Sequence, residues 1–106
     1  MKVALMLAAA LFAVPAAAMA GDAAAGKKLM VKCVVCHGKD GVSKNPEAPN
    51  LSGQIERYLV KSLKAYKSGE RPDKQMSLIA KPLKDNEIED LAAYYASIKV
   101  TVEMPQ

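Results

Sequence analysis

Apolar side chains recur at intervals of three and four in two stretches of the chain. Over residues 54–68, Ile55, Leu59, Leu63 and Tyr66 fall on one face of a helix. Gly69 and then Pro72 supply its stop signal. Over residues 85–98, Ile88, Leu91, Ala92, Tyr95 and Ile98 form one stripe, with Tyr94 at its edge. Glu87, Glu89 and Asp90 crowd the first turns there, where the helix dipole favours acids. A third helix is predicted over residues 22–33, with Asp22 as a possible N-cap, Ala23, Ala24 and Ala25 as strong helix formers, and Leu29 and Met30 as the main apolar side chains. The intervening segments, HGKDGVSKNPEAPNLSG and GERPDKQMSLIAKPLK, read as loop, the first because it is rich in Gly, Pro and Asn. Lys61, Lys64 and Lys67 make a second stripe on the middle helix, read as a solvated face. No segment alternates as a strand would. The class is all-α, with about three main helices joined by long loops.

Residues 1–20 follow a different pattern. Lys2 is their only charge, an apolar run covers residues 3–14, and Pro15 leads into a small-residue stretch ending Ala18-Met19-Ala20. This is the pattern of a cleaved secretory signal peptide. The apolar core falls short of the ~20 residues that a bilayer span requires. Residues 21–106 then form one small domain exported to the periplasm, with no stable membrane insertion. Without Lys2 the chain keeps 14 basic residues against 11 acidic ones, a net charge of +3. Only Arg57 and Arg71 are arginines, so the dense basic patch of a nucleic-acid binder is missing. A mild positive charge suits steering toward an acidic protein partner.

After the leader the only aromatic residues are Tyr58, Tyr66, Tyr94 and Tyr95, and there is no Trp. So thin a core calls for a staple. A Cys33–Cys36 disulfide would close too short a loop to stabilise much. A large apolar cofactor would do more, and it would give the long loops a surface to pack on.

Both cysteines and the only histidine lie in CVVCHGKDG, between Cys33 and His37. Three chemistries can use C-x-x-C-H. In covalent haem attachment each thiol adds to one vinyl group and the histidine ligates the iron. In thiol–disulfide exchange the pair sits in a βαβ setting, which the helical pattern does not supply. A structural zinc site needs a fourth ligand beyond these three, which would have to be a carboxylate. An exported chain with this pentapeptide fits haem best. His37 then supplies one axial ligand, and the sixth position decides function. Met30 precedes His37 by seven positions, too close to reach the opposite haem face, and Met104 lies in the C-terminal tail. Met76 follows by 39 positions between two helices, so the chain can wrap round the haem and return from the far side. Met/His is a standard pair for c-type haem. The alternative for Met76 is that it fills core space.

These residues resemble a class I c-type cytochrome, most nearly the small bacterial monohaem proteins and single halves of the dihaem ones. AAAGKKLMVKCVVCHGKDG resembles the family's first helix and haem-binding turn. NPEAPNLSGQIERYLVKSLKAYKSGER resembles its P-x-L-x-G-Q-x-x-x-Y-L block with a later G-x-R. MSLIAKPLKDNEIEDLAAYYASI resembles its axial Met and C-terminal helix. The resemblance covers nearly all of residues 21–106. It implies the cytochrome c fold, with helices and loops wrapped around one covalent haem c and its iron. It also implies thioethers at Cys33 and Cys36, proximal ligation by His37 and distal ligation by Met76. The Pro49 carbonyl would accept the other ring proton of His37, Leu51 and Leu59 would pack on the haem, and Tyr58 and Arg71 would lie near its rim. Gly26 would let the first helix approach Leu91 and Tyr94. The sequence departs from the pattern at Lys84, where the family often has a Ser N-cap, so Asp85 is expected to cap the last helix. Many relatives also carry a Met pair near the axial ligand, whereas here Met76 stands alone.

The expected function is that of a soluble monomeric electron carrier, not an enzyme, docking briefly with redox protein partners. Lys32, Lys39, Lys74 and Lys81 lie close in sequence to the attachment turn or to Met76 and are the docking candidates. The rival is a gas-binding or sensing haem protein with an open or labile sixth position.

Overall fold

The computed structural model describes residues 21–106, and the signal peptide expected over residues 1–20 lies outside them. The described residues form α-helices and no strands. Helix α1 spans Ala23–Leu29, a 3₁₀ turn follows at Met30–Lys32, and α2 spans Val34–His37. Helices α3 (Glu56–Ser68), α4 (Met76–Ala80) and α5 (Asp85–Ser97) complete the chain. None is long and apolar enough to cross a membrane.

The three helical patterns hold, with local differences that have physical causes. Asp22 caps α1, its Oδ1 accepting from the N–H groups of Ala24 at 2.8 Å and Ala25 at 3.2 Å. The helix expected to run to residue 33 instead tightens at Met30, and the Cys33 N–H donates to the Met30 carbonyl at 2.8 Å. A 3₁₀ turn advances each residue by a third of a circle. It leaves Cys33 half-buried against the core and Cys36 exposed. Helix α3 ends where Gly69 takes φ 83°, as its stop signal requires. Asp85 does not cap α5. Lys84 is the extended N-cap residue, and its N–H donates to Glu87 Oε2 at 2.9 Å. That is half of a capping box; a lysine ammonium has no acceptor with which to complete the other half.

Leu59, Leu83, Ile88, Leu91, Ala92 and Tyr95 form the buried core, with Leu29, Met30, Leu51, Leu63 and Ile98 packed around it. Helix α5 therefore packs against both α1 and α3. The α1–α5 crossing is close because residue 26 has no side chain. A Cβ there would lie 1.9 Å from the Asp90 carbonyl oxygen and 2.8 Å from Tyr94 Cβ. The nearest atoms belong to the backbone of Asp90 and to Tyr94, so α1 meets α5 at the expected place. The Asp22 N–H also donates to Asp90 Oδ1 at 2.7 Å, fixing the start of α1 on α5.

The lysine stripe of α3 is only partly a solvated face. Lys64 pairs with Glu89 at 3.8 Å, and Lys67 pairs with Asp85 at 3.7 Å while donating to the Leu83 carbonyl. Each exposed pair contributes at most about 1 kcal/mol, but together they tie α3 to the entry of α5.

Alanine at an ordinary helix position would gain about 1 kcal/mol over glycine. Gly26→Ala is expected to do the opposite, forcing α1 from α5 and destabilising the haem-loaded protein by about 2–3 kcal/mol. Guanidinium unfolding followed by far-ultraviolet circular dichroism checks the sign, and a gain in stability would contradict the crossing.

Candidate haem site

Because α1 is clamped to α5, the turn that continues it is delivered to a fixed place. Cys33 and Cys36 lie one helical turn apart, and the His37 N–H donates to the Cys33 carbonyl at 2.9 Å. Burial pushes the Cys33 thiol pKa up, against a smaller lowering by the neighbouring Tyr95 hydroxyl and by the charge of Lys32. Gly38 ends the helix at φ 81°, in the left-handed region where an L side chain is strained. The chain thus turns away directly after the histidine.

His37 is only 6 % exposed. Its Nδ1 lies 2.8 Å from the Pro49 carbonyl oxygen. A carbonyl can only accept, so Nδ1 carries the proton and Nε2 carries the lone pair. This is the arrangement an imidazole ligand needs, with its tautomer fixed by the partner behind it.

The loop that carries Pro49 is braced internally. The Gly41 carbonyl accepts from the N–H groups of Leu51 at 2.7 Å and Ser52 at 3.2 Å. Asn50 Oδ1 accepts from the Ser43 N–H at 2.8 Å, and Ser43 Oγ donates to the Cys36 carbonyl at 2.8 Å. Both limbs of the loop are therefore tied to each other and to the attachment turn. Beyond it, the Gly53 N–H donates to the Tyr95 carbonyl at 3.0 Å, pinning the loop to α5.

Leu59 is buried in the core, Leu51 is half-buried against it, and Met76 is half-buried at the start of α4. Tyr58 and Arg71 are exposed. The neighbouring Arg71, with a smaller contribution from Ser62, holds the Tyr58 phenol pKa below its ordinary value. The Arg71 guanidinium also lies 4.6 Å from the centre of the Tyr66 ring. The structure thus brings together Cys33, Cys36, His37 and Pro49, and separately groups Tyr58 with Arg71.

Large apolar side chains are left uncovered on the elements around these residues. Val35 in α2 is 88 % exposed, Ile55 before α3 is 69 % exposed, and Leu78 in α4 is 70 % exposed. The Tyr95 hydroxyl is buried with no hydrogen-bond partner, beside Cys33. An imidazole lone pair, two cysteines one turn apart and exposed apolar side chains on α2, on α4 and before α3 suit a flat, apolar, metal-bearing ring. No cluster of three or more metal-binding side chains occurs among the described residues.

Sequence reasoning missed three contributors. Tyr95 read only as a core residue, because nothing in the pattern placed its hydroxyl beside Cys33. Ser43 gave no signal. Asp73, whose carboxylate holds the backbone at Met76, could have been found from its place three residues before the methionine, the spacing of an N-cap.

Cys33→Ala and Cys36→Ala should each retain haem through one thioether, with the pyridine haemochrome maximum shifted to the red by the remaining vinyl group. The double variant should lose its haem to acid–acetone extraction. Because Cys33 packs against the core, its removal should cost about 1 kcal/mol more in unfolding free energy than that of Cys36.

A cytochrome c family profile matches residues 23–99. Cytochrome c-554(548) of Halomonas halodenitrificans is 48% identical over 81 residues, covering 74% of this chain and 98% of that protein. Cytochrome c4 of Pseudomonas aeruginosa is 46% identical over 85 residues, covering 80% of this chain and 42% of that protein. The crystal structure of reduced recombinant cytochrome c4 from Pseudomonas stutzeri superposes with a TM-score of 0.73 at 42% identity, covering 78% of this chain and 48% of that one. The chain thus spans about half the length of its cytochrome c4 relatives and nearly all of the c-554(548) relative. Cys33 and Cys36, in C-x-x-C-H spacing, carry one covalent haem c with its iron. The chain belongs to the cytochrome c family, as a class I c-type domain similar to one half of cytochrome c4.

Proposed function

We propose that this protein is a periplasmic one-electron carrier, with His37 and Met76 as the two axial ligands of its haem iron. The observation that carries this reading is the fixed imidazole of His37, buried and held at Nδ1 by the Pro49 carbonyl. Haem c supplies a ferrous/ferric couple when bound. The role of the chain is to hold the ligands still and to keep water from the iron. Pro49 orients the ring of His37. Leu51 and Leu59 offer apolar surface to the haem. Tyr58 and Arg71, two exposed neighbours, would lie at its rim. A thioether ligand favours ferrous iron, and low solvent exposure disfavours the extra charge of the ferric state, so both raise the potential. With both axial positions taken by the protein, electron transfer is left and substrate turnover is not. The leader expected over residues 1–20 accounts for export, and the two thioethers fit an exported haem protein.

Brief docking fits a carrier, because weak redox encounters use small interfaces. Lys32, Lys39, Lys74 and Lys81 are all exposed. They precede or follow the attachment turn and α4, while Asp85, Glu87, Glu89 and Asp90 gather on α5. Exposed lysines beside the attachment turn and α4 support an acidic partner.

Absorption spectra of the matured protein, oxidised and reduced, test the ligation. A weak far-red iron–sulfur band should be present in the ferric protein and absent in Met76→Ala, whose ferrous form should bind carbon monoxide rapidly. A parent protein that lacks the band and binds carbon monoxide at once would favour a gas-binding role instead. Replacing Lys32, Lys39, Lys74 and Lys81 with Glu should slow electron transfer to an acidic partner about tenfold at low ionic strength and little at high. Stopped-flow rates across a salt series measure this, and an unchanged salt slope would remove these lysines from the interface.

A further inference from the structure

Helix α4 is held very differently at its two ends. Its C-terminal end is anchored in the core, where Ala80 is fully buried and Leu83, just beyond, is 2 % exposed with its carbonyl taken by Lys67. Its N-terminal end carries Met76 and lies among exposed residues, with Asp73, Lys74 and Gln75 all open to solvent. Leu78 and Ile79, the next apolar residues, are exposed as well. What fixes the Met76 end is a ring of hydrogen bonds closed by one carboxylate. Asp73 Oδ1 accepts from the Met76 N–H at 2.7 Å and from the Gln75 N–H at 3.0 Å. The Asp73 N–H in turn donates to Ser77 Oγ at 3.0 Å, and the Ser77 N–H donates to the Asp73 carbonyl at 3.0 Å. Residues 73–77 are therefore locked as one unit, and Met76 is fixed by its own backbone.

We propose that Asp73 is a positioning residue for Met76, setting how readily the thioether leaves the iron. The inference rests on the reading of Met76 as the axial ligand. A methionine thioether is a weak ligand on a flexible side chain, so its hold on iron depends on the backbone that presents it. When the cap is lost, two N–H groups of the first turn lose their acceptor, and the helix end frays where the ligand sits. The detached state then becomes more accessible, and an external ligand competes better for the iron. If the full value of a typical cap is transmitted, the affinity of the ferric iron for an external ligand rises about fivefold.

Imidazole is the probe, titrated into the haem-loaded ferric protein and followed at the far-red band and the Soret maximum. A parent protein that shows the band validates the ligation, and a parent without it defeats that reading before Asp73 enters. With the band present, Asp73→Ala should raise imidazole affinity about fivefold. Asp73→Asn, which still offers a capping oxygen, should stay near the parent value. Asp22→Ala is the control, because it removes the cap of α1, far from Met76 in the chain. A rise of the same size in Asp22→Ala would mean that general loosening explains the effect and would overturn the proposal. So would an unchanged imidazole affinity in Asp73→Ala, or a rise in Asp73→Asn equal to that in Asp73→Ala. A variant that fails to fold with haem is replaced by Ser77→Ala, which removes the reciprocal hydrogen bond alone and should move affinity in the same direction by a smaller factor. No change there would likewise count against the proposal.

Discussion

The crossing of α1 and α5 at Gly26 is the constraint from which the rest of the molecule is hung. Two backbones meet there at a distance no side chain would allow, and the Asp22–Asp90 hydrogen bond fixes where along α5 they meet. Helix α1 runs without a linker into the 3₁₀ turn and then into the C-x-x-C-H segment. The haem-bearing residues therefore inherit their position from a contact seven residues upstream of Cys33. Helix α5 is the common wall. It receives α1 on one side and α3 on another, and its Tyr95 carbonyl holds the loop that brings Pro49 to His37.

The division of labour along the chain follows from this. The proximal side, from Cys33 to Leu51, is dense in hydrogen bonds and is closed on itself by Gly41, Ser43 and Asn50. The segment that carries Met76, from Gly69 to Lys81, is a longer excursion whose far end alone is set into the core. One side holds its ligand through a side-chain nitrogen braced from behind. The other holds its methionine through the main chain, at the exposed end of a five-residue helix.

Much of this was legible in the sequence, for reasons particular residues make plain. The stripes Ile55–Leu59–Leu63 and Ile88–Leu91–Ala92–Tyr95 follow the helical period because each helix buries one face, and they located α3 and α5 to within two residues. The pentapeptide from Cys33 to His37 carries its chemistry in residue types and spacing, which no fold is needed to read. What escaped was set by tertiary contact. Helix α4 has five residues, too few to show a period, and it is defined by the Asp73 cap and by packing on α3. The 3₁₀ turn at Met30 depends on how Cys33 meets the core. The stripe at Lys61, Lys64 and Lys67 looked uniform, yet Lys67 reaches a main-chain carbonyl because Leu83 happens to end its turn there. Local pattern cannot specify such a partner.

The placement of the proposed iron ligands along the chain also sets an order of assembly. Cys33, Cys36 and His37 occupy little more than one turn, so they can meet a single porphyrin before any distant part of the chain has folded. Bringing in residue 76 means closing a loop of nearly forty positions, whose entropy must be lost before that contact is made. A tetrapyrrole bonded early would travel with the nascent N-terminal segment and present a flat apolar face on which α3 and the distal loop could condense. The prosthetic group would then act as a folding nucleus supplied from outside the polypeptide, and a domain with so few large side chains of its own would gain its cooperativity from a ligand that its own sequence does not encode.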